Sequence, residues 1–504
     1  MCTAAPVAKA QEVEEPPPTA ADSPAVGVVP PPRDRAARDR WLLARIDAAV
    51  TARSDLGAAR LGIAVLDVAS GRPLYRRNAD QTFNIASNVK VVTTAAALAL
   101  LGPEYRYRTQ VLADALDASG TVTGNLYLRT AGDPSLDHAA LWSLASELAT
   151  IGVKKVTGAL IIDDSFFDAD WTPPAFDQKK EDAYFRAPVG AASLDYNAVT
   201  VWVQPGAAAG QPARIAVSPA SDAVTVKSTV VTVGRGRSAV EAVAVASPTG
   251  TEVTVSGQIR FDDLGGEAIR KRIDRPTAFT GSAFRAILAR AGIRVAKDVR
   301  TGVVPKMARS VVSHTSEPVG VLVRDMMKYS NNFMAETLMK TIGAEVAGPP
   351  GTWAKGVAAV AGWLVETAGL ARGSFRYDNG SGLYDSNRFS PDAVVAVLRA
   401  AAHDFRTGPE YLASMAIAGA DGTLARRMGG TAAERYVRGK TGSLKNVSCL
   451  SGFAGGAGRP LAFAVLVNDI PETGPAGRAA RSLEDEIAVT LAEYVDAGDS
   501  PETR

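Results

Sequence analysis

The spacing of hydrophobic residues predicts regular structure from about residue 35 onward. Residues 35–53 carry an apolar stripe at helical spacing, formed by Trp41, Leu42, Ile46 and Val50. Residues 61–68 and 73–77 flank the turn residues 69–72, which predicts two neighbouring strands. A run rich in Ala, Val and Leu follows, and it predicts a helix that ends at Gly102 and Pro103.

A different pattern begins near residue 107, where short alternating runs are separated by turn residues and by a helical segment at 138–151. The predicted strands are 107–112, 124–129, 156–163, 200–204, 215–217, 224–233 and 253–259. This β-rich block spans about 165 residues, which is long enough for one or two further domains.

Helical spacing returns after residue 276, and two apolar runs near the C-terminus predict a hairpin. The predicted helices are 278–291, 319–330, 333–346, 352–369, 391–402 and 475–495, and the hairpin strands are 447–453 and 461–468. Strands near both ends of the chain, with helices between them, favour a sheet built from both ends. The expected fold class is multi-domain α/β, with an antiparallel sheet flanked by helices and a large β-rich insertion.

The 504-residue chain is too long for one ordinary core, so several domains are expected. Residues 1–34 form a proline-rich tether and 498–504 a tail. The main domain comprises 35–106 and 276–497, and 107–275 is the inserted region.

Composition narrows the function classes. Apolar residues make up 46% of the chain and the formal net charge is +2, which gives no electrostatic case for binding nucleic acid or an anionic membrane. The three histidines, His138, His314 and His403, have no metal-ligand spacing, so a zinc hydrolase is not expected. A hydrolase with so little histidine would need a lysine or a carboxylate as its base. No metal or cofactor is expected.

The N-terminal segment carries one suggestive feature. Cys2 precedes Thr-Ala-Ala and a spacer with two Pro-Pro-Pro runs, which resembles the start of a mature bacterial lipoprotein. No charged and apolar leader is visible ahead of this segment, so the sequence shows no signal peptide and does not prove lipidation. The expected route to a membrane is a lipid on Cys2. The alternative is an incidental cysteine in a flexible end.

The first candidate for chemistry is the S-x-x-K pair at the start of the helix near residue 90. Ser87 and Lys90 are three residues apart, so at helical pitch they share a face and the hydroxyl and amine can meet. A serine hydroxyl becomes a good nucleophile when a base takes its proton. A lysine is such a base when burial or a neighbouring cation lowers its pKa.

Two further segments follow in order. Ser330-Asn331-Asn332 falls at a break between predicted helices, and Lys440-Thr441-Gly442 begins a predicted C-terminal strand. Together with S-x-x-K they form the S-x-x-K, S-x-N, K-T-G set of penicillin-interacting serine acyltransferases. Each segment alone is weak, but three in this order and on the expected elements are a specific signal.

Acyl-transfer chemistry suggests a role for each side chain. Ser87 attacks a carbonyl, and Lys90 is the leading candidate to accept its proton. Ser330 can relay a proton to the leaving amine, and Asn332 can hold the substrate amide. Lys440 supplies positive potential that attracts a carboxylate and lowers the pKa of Lys90.

Substrate-binding roles fall on the residues after Lys440. Thr441 can hydrogen-bond the carboxylate, and Gly442 is interpreted as letting substrate approach the strand edge. By analogy with the superfamily, the oxyanion would be held by the backbone amides of Ser87 and Ser443.

The chain resembles the D-alanyl-D-alanine carboxypeptidase/endopeptidases known as class C, type 4 penicillin-binding proteins (peptidase family S13), over about residues 38–495. The segments that carry the resemblance are 86–90 with 93–97, 132–136, 187–188 with Asn197, 329–332, 378–383, 421–424 and 440–444. The resemblance implies a transpeptidase-like (β-lactamase-like) domain with two nested inserted domains. It also implies an extracytoplasmic, periplasmic enzyme that acts on peptidoglycan stem peptides and is acylated by β-lactams.

Two other functions share these motifs. A serine β-lactamase would need fast deacylation and normally lacks a large insertion between the first two motifs. A non-catalytic wall-binding protein on the same fold would have no use for intact reactive residues. The oligomeric state and the balance of carboxypeptidase and endopeptidase activity stay open.

Overall fold

The computed structural model describes residues 30–455 and 459–499. Cys2, most of the proline-rich tether and the end of the tail lie outside the described residues. The helices are α1 Arg35–Thr51, α2 Lys90–Leu101, α3 His138–Thr150, α4 Pro276–Arg290, α5 Val319–Lys328, α6 Asn332–Ala347, α7 Trp353–Glu366, α8 Pro391–His403, α9 Gly408–Ser414 and α10 Ala476–Asp499.

The strands are β1 Arg60–Asp67, β2 Pro73–Arg77, β3 Arg108–Leu116, β4 Thr121–Arg129, β5 Lys155–Val156, β6 Leu160–Asp163, β7 Ala198–Gln204, β8 Arg214–Ser218, β9 Val224–Ser228, β10 Val231–Val233, β11 Ala239–Ala246, β12 Thr251–Arg260, β13 Glu267–Arg272, β14 Arg294–Val295, β15 Val299–Thr301, β16 Arg309–Thr315, β17 Ala416–Ile417, β18 Val437–Leu444, β19 Val447–Ala454 and β20 Leu461–Asn468. Among the described residues, no helix is long and apolar enough to cross a bilayer.

The chain divides into two compact units. The first comprises the described residues up to Glu104, Val319–Asn331 and the described residues from Val360 onward. Its six-stranded sheet has the order β17-β18-β19-β20-β1-β2, with neighbours antiparallel. Strands from both ends of the chain therefore share one sheet, as the hydrophobic pattern predicted.

The central strands of this sheet are covered on both faces. Every residue of β19 and β20 is buried, which explains why their sequences are continuously apolar and not alternating. On one face, α1 and α10 pack on the sheet through residues such as Ile46, Val465 and Ile487. On the other, α8 packs on β1 and β20, and the Phe83 ring fills the space in front of Gly62.

The second unit comprises Tyr105–Pro318 and Asn332–Ala359. It holds a seven-stranded sheet with the path β14-β5-β4-β3-β16 (β6 and β15 lie beside it), a four-stranded sheet of β9 to β12 and a three-stranded sheet β13-β7-β8. The inserted region expected from the sequence ends at residue 275, but this unit continues to Pro318. The unit extends this far because three later strands pair with strands of the insertion: β14 with β5, β15 with β6 and β16 with β3.

Local differences from the predicted strands have identifiable causes. The predicted strand 156–163 is two strands, β5 and β6, because Gly158 N donates to the Gly124 carbonyl and interrupts the run. The predicted strand 224–233 is also two, β9 and β10, which pair with successive parts of β12. Strands β11, β13 and β16 were not predicted, and neither were the short strands β14, β15 and β17.

Candidate active site

Ser87 lies in a tight 3₁₀ turn, Ala86–Val89, that leads directly into α2. The turn begins at Ala86, which has a φ of 45°, a left-handed conformation that is unusual for a residue with a side chain. Asn84 holds it there, since its Oδ1 accepts from Ala86 N at 2.9 Å, and Asn468 Oδ1 in turn accepts from Asn84 N at 2.8 Å. Such strain is found where the surrounding structure fixes a functional residue.

Lys90 lies directly beneath the serine. Its Nζ is 3.0 Å from Ser87 Oγ, as the spacing predicted, and 2.8 Å from the Ser381 carbonyl oxygen. The Lys90 side chain is fully buried, whereas Ser87 is partly exposed. The hydroxyl can therefore meet a substrate on one side while the amine contacts it from the protein interior.

The loop that contacts Lys90 is the segment 378–383, for which no role in the site was predicted. Besides the Ser381 carbonyl, the Gly380 carbonyl accepts from Thr93 Oγ1 at 2.7 Å. Gly382 has a φ of 79°, and a Cβ there would lie 1.9 Å from the Ala86 carbonyl oxygen. This loop packs against the Ser87 turn and orients the lysine through backbone atoms.

A second amine–hydroxyl pair joins the other two motifs. Lys440 Nζ lies 2.9 Å from Ser330 Oγ and 2.7 Å from the Thr441 carbonyl oxygen. Ser330 follows α5 and has a φ of 55°, again a strained left-handed residue. Lys440 is fully buried in the middle of β18, so the prediction that Lys440 begins a strand was wrong by three residues.

Strand β18 packs directly against the Ser87 turn. A Cβ on Gly442 would lie 2.6 Å from the Ile85 carbonyl oxygen and 2.9 Å from Asn88 N. Asn88 Nδ2 donates to the Lys440 carbonyl oxygen at 2.7 Å, and Asn88 Oδ1 accepts from Ser451 Oγ. Glycine is therefore required at position 442 by packing within the protein. The sequence had suggested only that it lets substrate approach the strand.

Asn88 is a positioning residue that sequence reasoning missed. It occupies an x position of S-x-x-K, and only its full burial next to Ser87, the predicted nucleophile, distinguishes it. In the sequence it is one of several polar residues between Asn84 and Lys90, so no signal singled it out.

The amides of Thr441 and Ser443 lie on an open edge of the sheet. Strand β17 pairs with β18 as far as Gly439, and on that side Ala418 N donates to the Val437 carbonyl. In an antiparallel strand, every second residue directs its backbone N–H and C=O to the same side. Thr441 and Ser443 therefore direct their amides to the same side as Val437, beyond the point where β17 ends. The position is suitable for an oxyanion donor.

A buried ion pair supports the strand next to β18. Glu484 accepts from Ser448 Oγ at 2.6 Å and lies 2.9 Å from Arg427 Nη2. Burial raises the pKa of the Glu484 carboxyl, and the Arg427 guanidinium opposes that rise. Ser448 is paired with Ser443, so the ion pair anchors β19 opposite the Ser443 amide.

Asn332 is the first residue of α6 and belongs to the second unit. Its Nδ2 donates to the Phe185 carbonyl oxygen at 3.2 Å. The other four predicted catalytic residues, Ser87, Lys90, Ser330 and Lys440, lie in the first unit.

Other nucleophiles and bases have different surroundings. His138 and His314 contact Asp195 and Asp133, and His403 Nε2 contacts the Val68 carbonyl oxygen. Within the described part of the chain, no group of three or more His, Cys, Asp or Glu side chains is arranged to hold a metal ion.

Cys449 is buried, and burial raises the pKa of its thiol, which disfavours the reactive thiolate. Ser87 is therefore the nucleophile that the geometry favours.

Comparison with known proteins gives one family. The model of the D-Ala-D-Ala carboxypeptidase 3 (S13) family matches residues 42–493. The D-alanyl-D-alanine carboxypeptidase of Actinomadura sp. (strain R39) is 35% identical over 457 residues, which cover 86% of this chain and 81% of the relative. The D-alanyl-D-alanine carboxypeptidase DacB of Haemophilus influenzae is 27% identical over 394 residues, covering 76% of this chain and 80% of the relative.

Solved structures agree on the fold. Penicillin binding protein 4 (dacB) from Haemophilus influenzae, alone and complexed with a β-lactam, gives TM-scores of 0.74 and 0.71 at 24% identity. In both, the similarity covers 88% of this chain and 99% of the other. The chain belongs to the D-Ala-D-Ala carboxypeptidase S13 family, and it is a serine-type D-Ala-D-Ala carboxypeptidase.

Proposed function

We propose that this carboxypeptidase removes the terminal D-alanine from peptidoglycan stem peptides through an acyl-enzyme on Ser87. The observation that carries the proposal is the 3.0 Å contact between Ser87 Oγ and the buried Lys90 Nζ. A nucleophile in contact with a buried base is the arrangement that acyl transfer needs.

In the proposed acylation, a neutral Lys90 accepts the proton of Ser87 as the hydroxyl oxygen attacks the carbonyl of the penultimate D-alanine. The developing oxyanion is held by the amides of Ser87 and Ser443. Ser330, hydrogen-bonded to Lys440, donates its proton to the leaving amine as the C–N bond breaks and is reprotonated from the lysines. The proton taken from Ser87 thus ends on the departing amine, and Lys90 is neutral again for deacylation. Terminal D-alanine departs with that proton.

Deacylation reverses these roles. A water molecule attacks the ester carbonyl, gives its proton to the base, and the Ser87 oxygen leaves and is reprotonated. The net reaction consumes one water and yields a shortened stem peptide and D-alanine. Asn332 is proposed to orient the substrate amide.

A second proposed activity is cleavage of D-alanyl-diaminopimelate cross-links. The acyl part of that bond is the same D-alanine, so Ser87 would meet the same carbonyl and only the leaving amine would differ. No additional catalytic group is required.

We also propose that β-lactams acylate Ser87, because a strained lactam amide presents a carbonyl to the same nucleophile. The complexed Haemophilus structure supports this. A serine β-lactamase would share the acylation but hydrolyse the penicilloyl ester rapidly. The lifetime of that ester separates the two enzymes, and a long one is expected here.

The proposed site of action is the extracytoplasmic cell envelope, where the peptidoglycan substrate lies. A lipid on Cys2 would tether the enzyme there. A wall-binding protein without catalysis is the remaining alternative, and it would lose nothing on replacement of Ser87.

Digestion of purified muropeptides tests the proposed activities. The wild-type protein should convert pentapeptides to tetrapeptides with release of D-alanine, and should split cross-linked dimers if it is also an endopeptidase. Ser87→Ala should do neither. Pentapeptide trimming that persists in Ser87→Ala would reject the acyl-serine route.

A further inference from the structure

A second threonine contacts the K-T-G threonine. Thr441 Oγ1 donates to Thr423 Oγ1 at 3.0 Å, and both side chains are partly exposed. A hydroxyl carries one proton, and Thr441 uses its proton in this bond. The Thr423 proton makes no hydrogen bond to another residue in 30–455 or 459–499, so it is available to a ligand.

The turn that carries Thr423 is held firmly. Asp421 Oδ2 lies 2.6 Å from Lys328 Nζ, and its Oδ1 accepts from Ile417 N at 2.8 Å. Gly422 has a φ of 56°, and a Cβ there would lie 2.7 Å from the Lys328 carbonyl oxygen. Because these contacts fix the turn, the Thr423 hydroxyl is oriented before any ligand arrives.

The surroundings of this hydroxyl pair favour an anion. The buried Lys440 Nζ lies 2.7 Å from the Thr441 carbonyl oxygen, which places a cation beside the pair. Ser443 is exposed and, two residues further along β18, shares the strand face of Thr441. The Asp421 carboxylate in the turn is paired with Lys328, which offsets its repulsion of an anion.

We propose that Thr423 is a specificity-determining residue whose hydroxyl donates to the C-terminal carboxylate of the substrate. Thr441, by donating to Thr423, polarises that O–H and strengthens the bond to the anion. Thr441, which was expected to bind the carboxylate directly, here acts through its neighbour. The inference rests on the proposed acylation of Ser87.

The test compares acylation by benzylpenicillin, which carries a carboxylate, with acylation by benzylpenicillin methyl ester, which does not. The readout is the ratio of the two second-order rate constants. Thr423→Val keeps the shape of the side chain but removes the donor, so the acid-over-ester ratio should fall about tenfold or more, as expected for loss of a hydrogen bond to a charged group. Thr423→Ser restores the donor and should restore the ratio.

Two controls make the result decisive. Thr367→Val changes an exposed threonine of the same unit and should leave the ratio at its wild-type value. Thr423→Ala provides a second donor-free variant if Thr423→Val does not fold, and the melting temperature of each variant reports folding.

An unchanged ratio in the donor-free variants would overturn the inference. An equal loss of rate with acid and ester would also overturn it, because it would mean that Thr423 only supports the fold. Absence of an adduct on Ser87 in the wild-type protein would instead reject the proposed function.

Discussion

Gly442 packs against the backbone of Ile85, the residue just before the Ser87 turn. A Cβ on Gly442 would lie 2.6 Å from the Ile85 carbonyl oxygen. This contact brings the strand that carries Lys440 next to Ser87. The approach is needed because two motifs far apart in sequence must form one site.

Gly442→Ala should push β18 and the Ser87 turn apart. The two nearest atoms that the methyl group would meet, Ile85 O at 2.6 Å and Asn88 N at 2.9 Å, belong to the backbone, so neither can rotate away. We expect acylation by benzylpenicillin to slow by about a hundredfold and stability to fall by about 1–3 kcal/mol. Gly362→Ala is the matched control, since a Cβ at Gly362 meets open space. Wild-type acylation in Gly442→Ala would contradict the packing account.

Asn88 and Ser451 should be coupled energetically. Asn88→Ala leaves the buried Ser451 hydroxyl without its acceptor, and the expected cost is about 1–3 kcal/mol of unfolding free energy. In the double variant with Ser451→Ala that penalty is absent, so the effects should be non-additive by about 0.5–3 kcal/mol. Urea unfolding of the four proteins measures the coupling. Strict additivity would show that the contact carries no energy.

Two substitutions at Ser330 separate the cost of its left-handed backbone from the role of its hydroxyl in catalysis. Ser330→Ala and Ser330→Gly both remove the hydroxyl that contacts Lys440, so both should slow D-alanine release to a similar extent. Glycine accepts the left-handed backbone without cost, so Ser330→Gly should be more stable than Ser330→Ala by about 1–2 kcal/mol. Melting temperatures and turnover are measured on the same samples. Unequal turnover that follows stability would argue against a proton relay through Ser330.

Lys90 should affect chemistry far more than folding. Lys90→Gln removes the base and is expected to lower the acylation rate by about 10²–10⁴-fold. The matched control is Lys445→Gln, which replaces an exposed lysine that pairs with Glu472 at 2.7 Å. If the two variants acylate equally fast, Lys90 is not the base.

Features set by local residue spacing could be predicted from the sequence, whereas features set by long-range packing could not. The i, i+3 relation of Ser87 and Lys90 is a property of one turn, and apolar runs at both chain ends located the main sheet. The strand β11 was missed because its alternation, AVEAVAVA, relies on alanine, which is weakly apolar and a helix former. The insertion boundary was placed too early because β16 reveals its place only through pairing with β3.

Several contacts in the site could not be found from sequence. The carbonyl that meets Lys90 comes from Ser381, almost three hundred residues away, and backbone atoms leave no residue-specific signal. The polar contact between Thr423 and Thr441 likewise joins two separate segments. Gly442 could be recognised as a motif residue, but its reason, the Ile85 backbone, lies on another element.

The most direct test of the account is the location of the covalent adduct with benzylpenicillin. Intact-protein mass spectrometry followed by peptide mapping should show one penicilloyl group on Ser87 and none on Ser87→Ala. An adduct on a different residue, or equal labelling of Ser87→Ala, would contradict the assignment of Ser87 as the nucleophile.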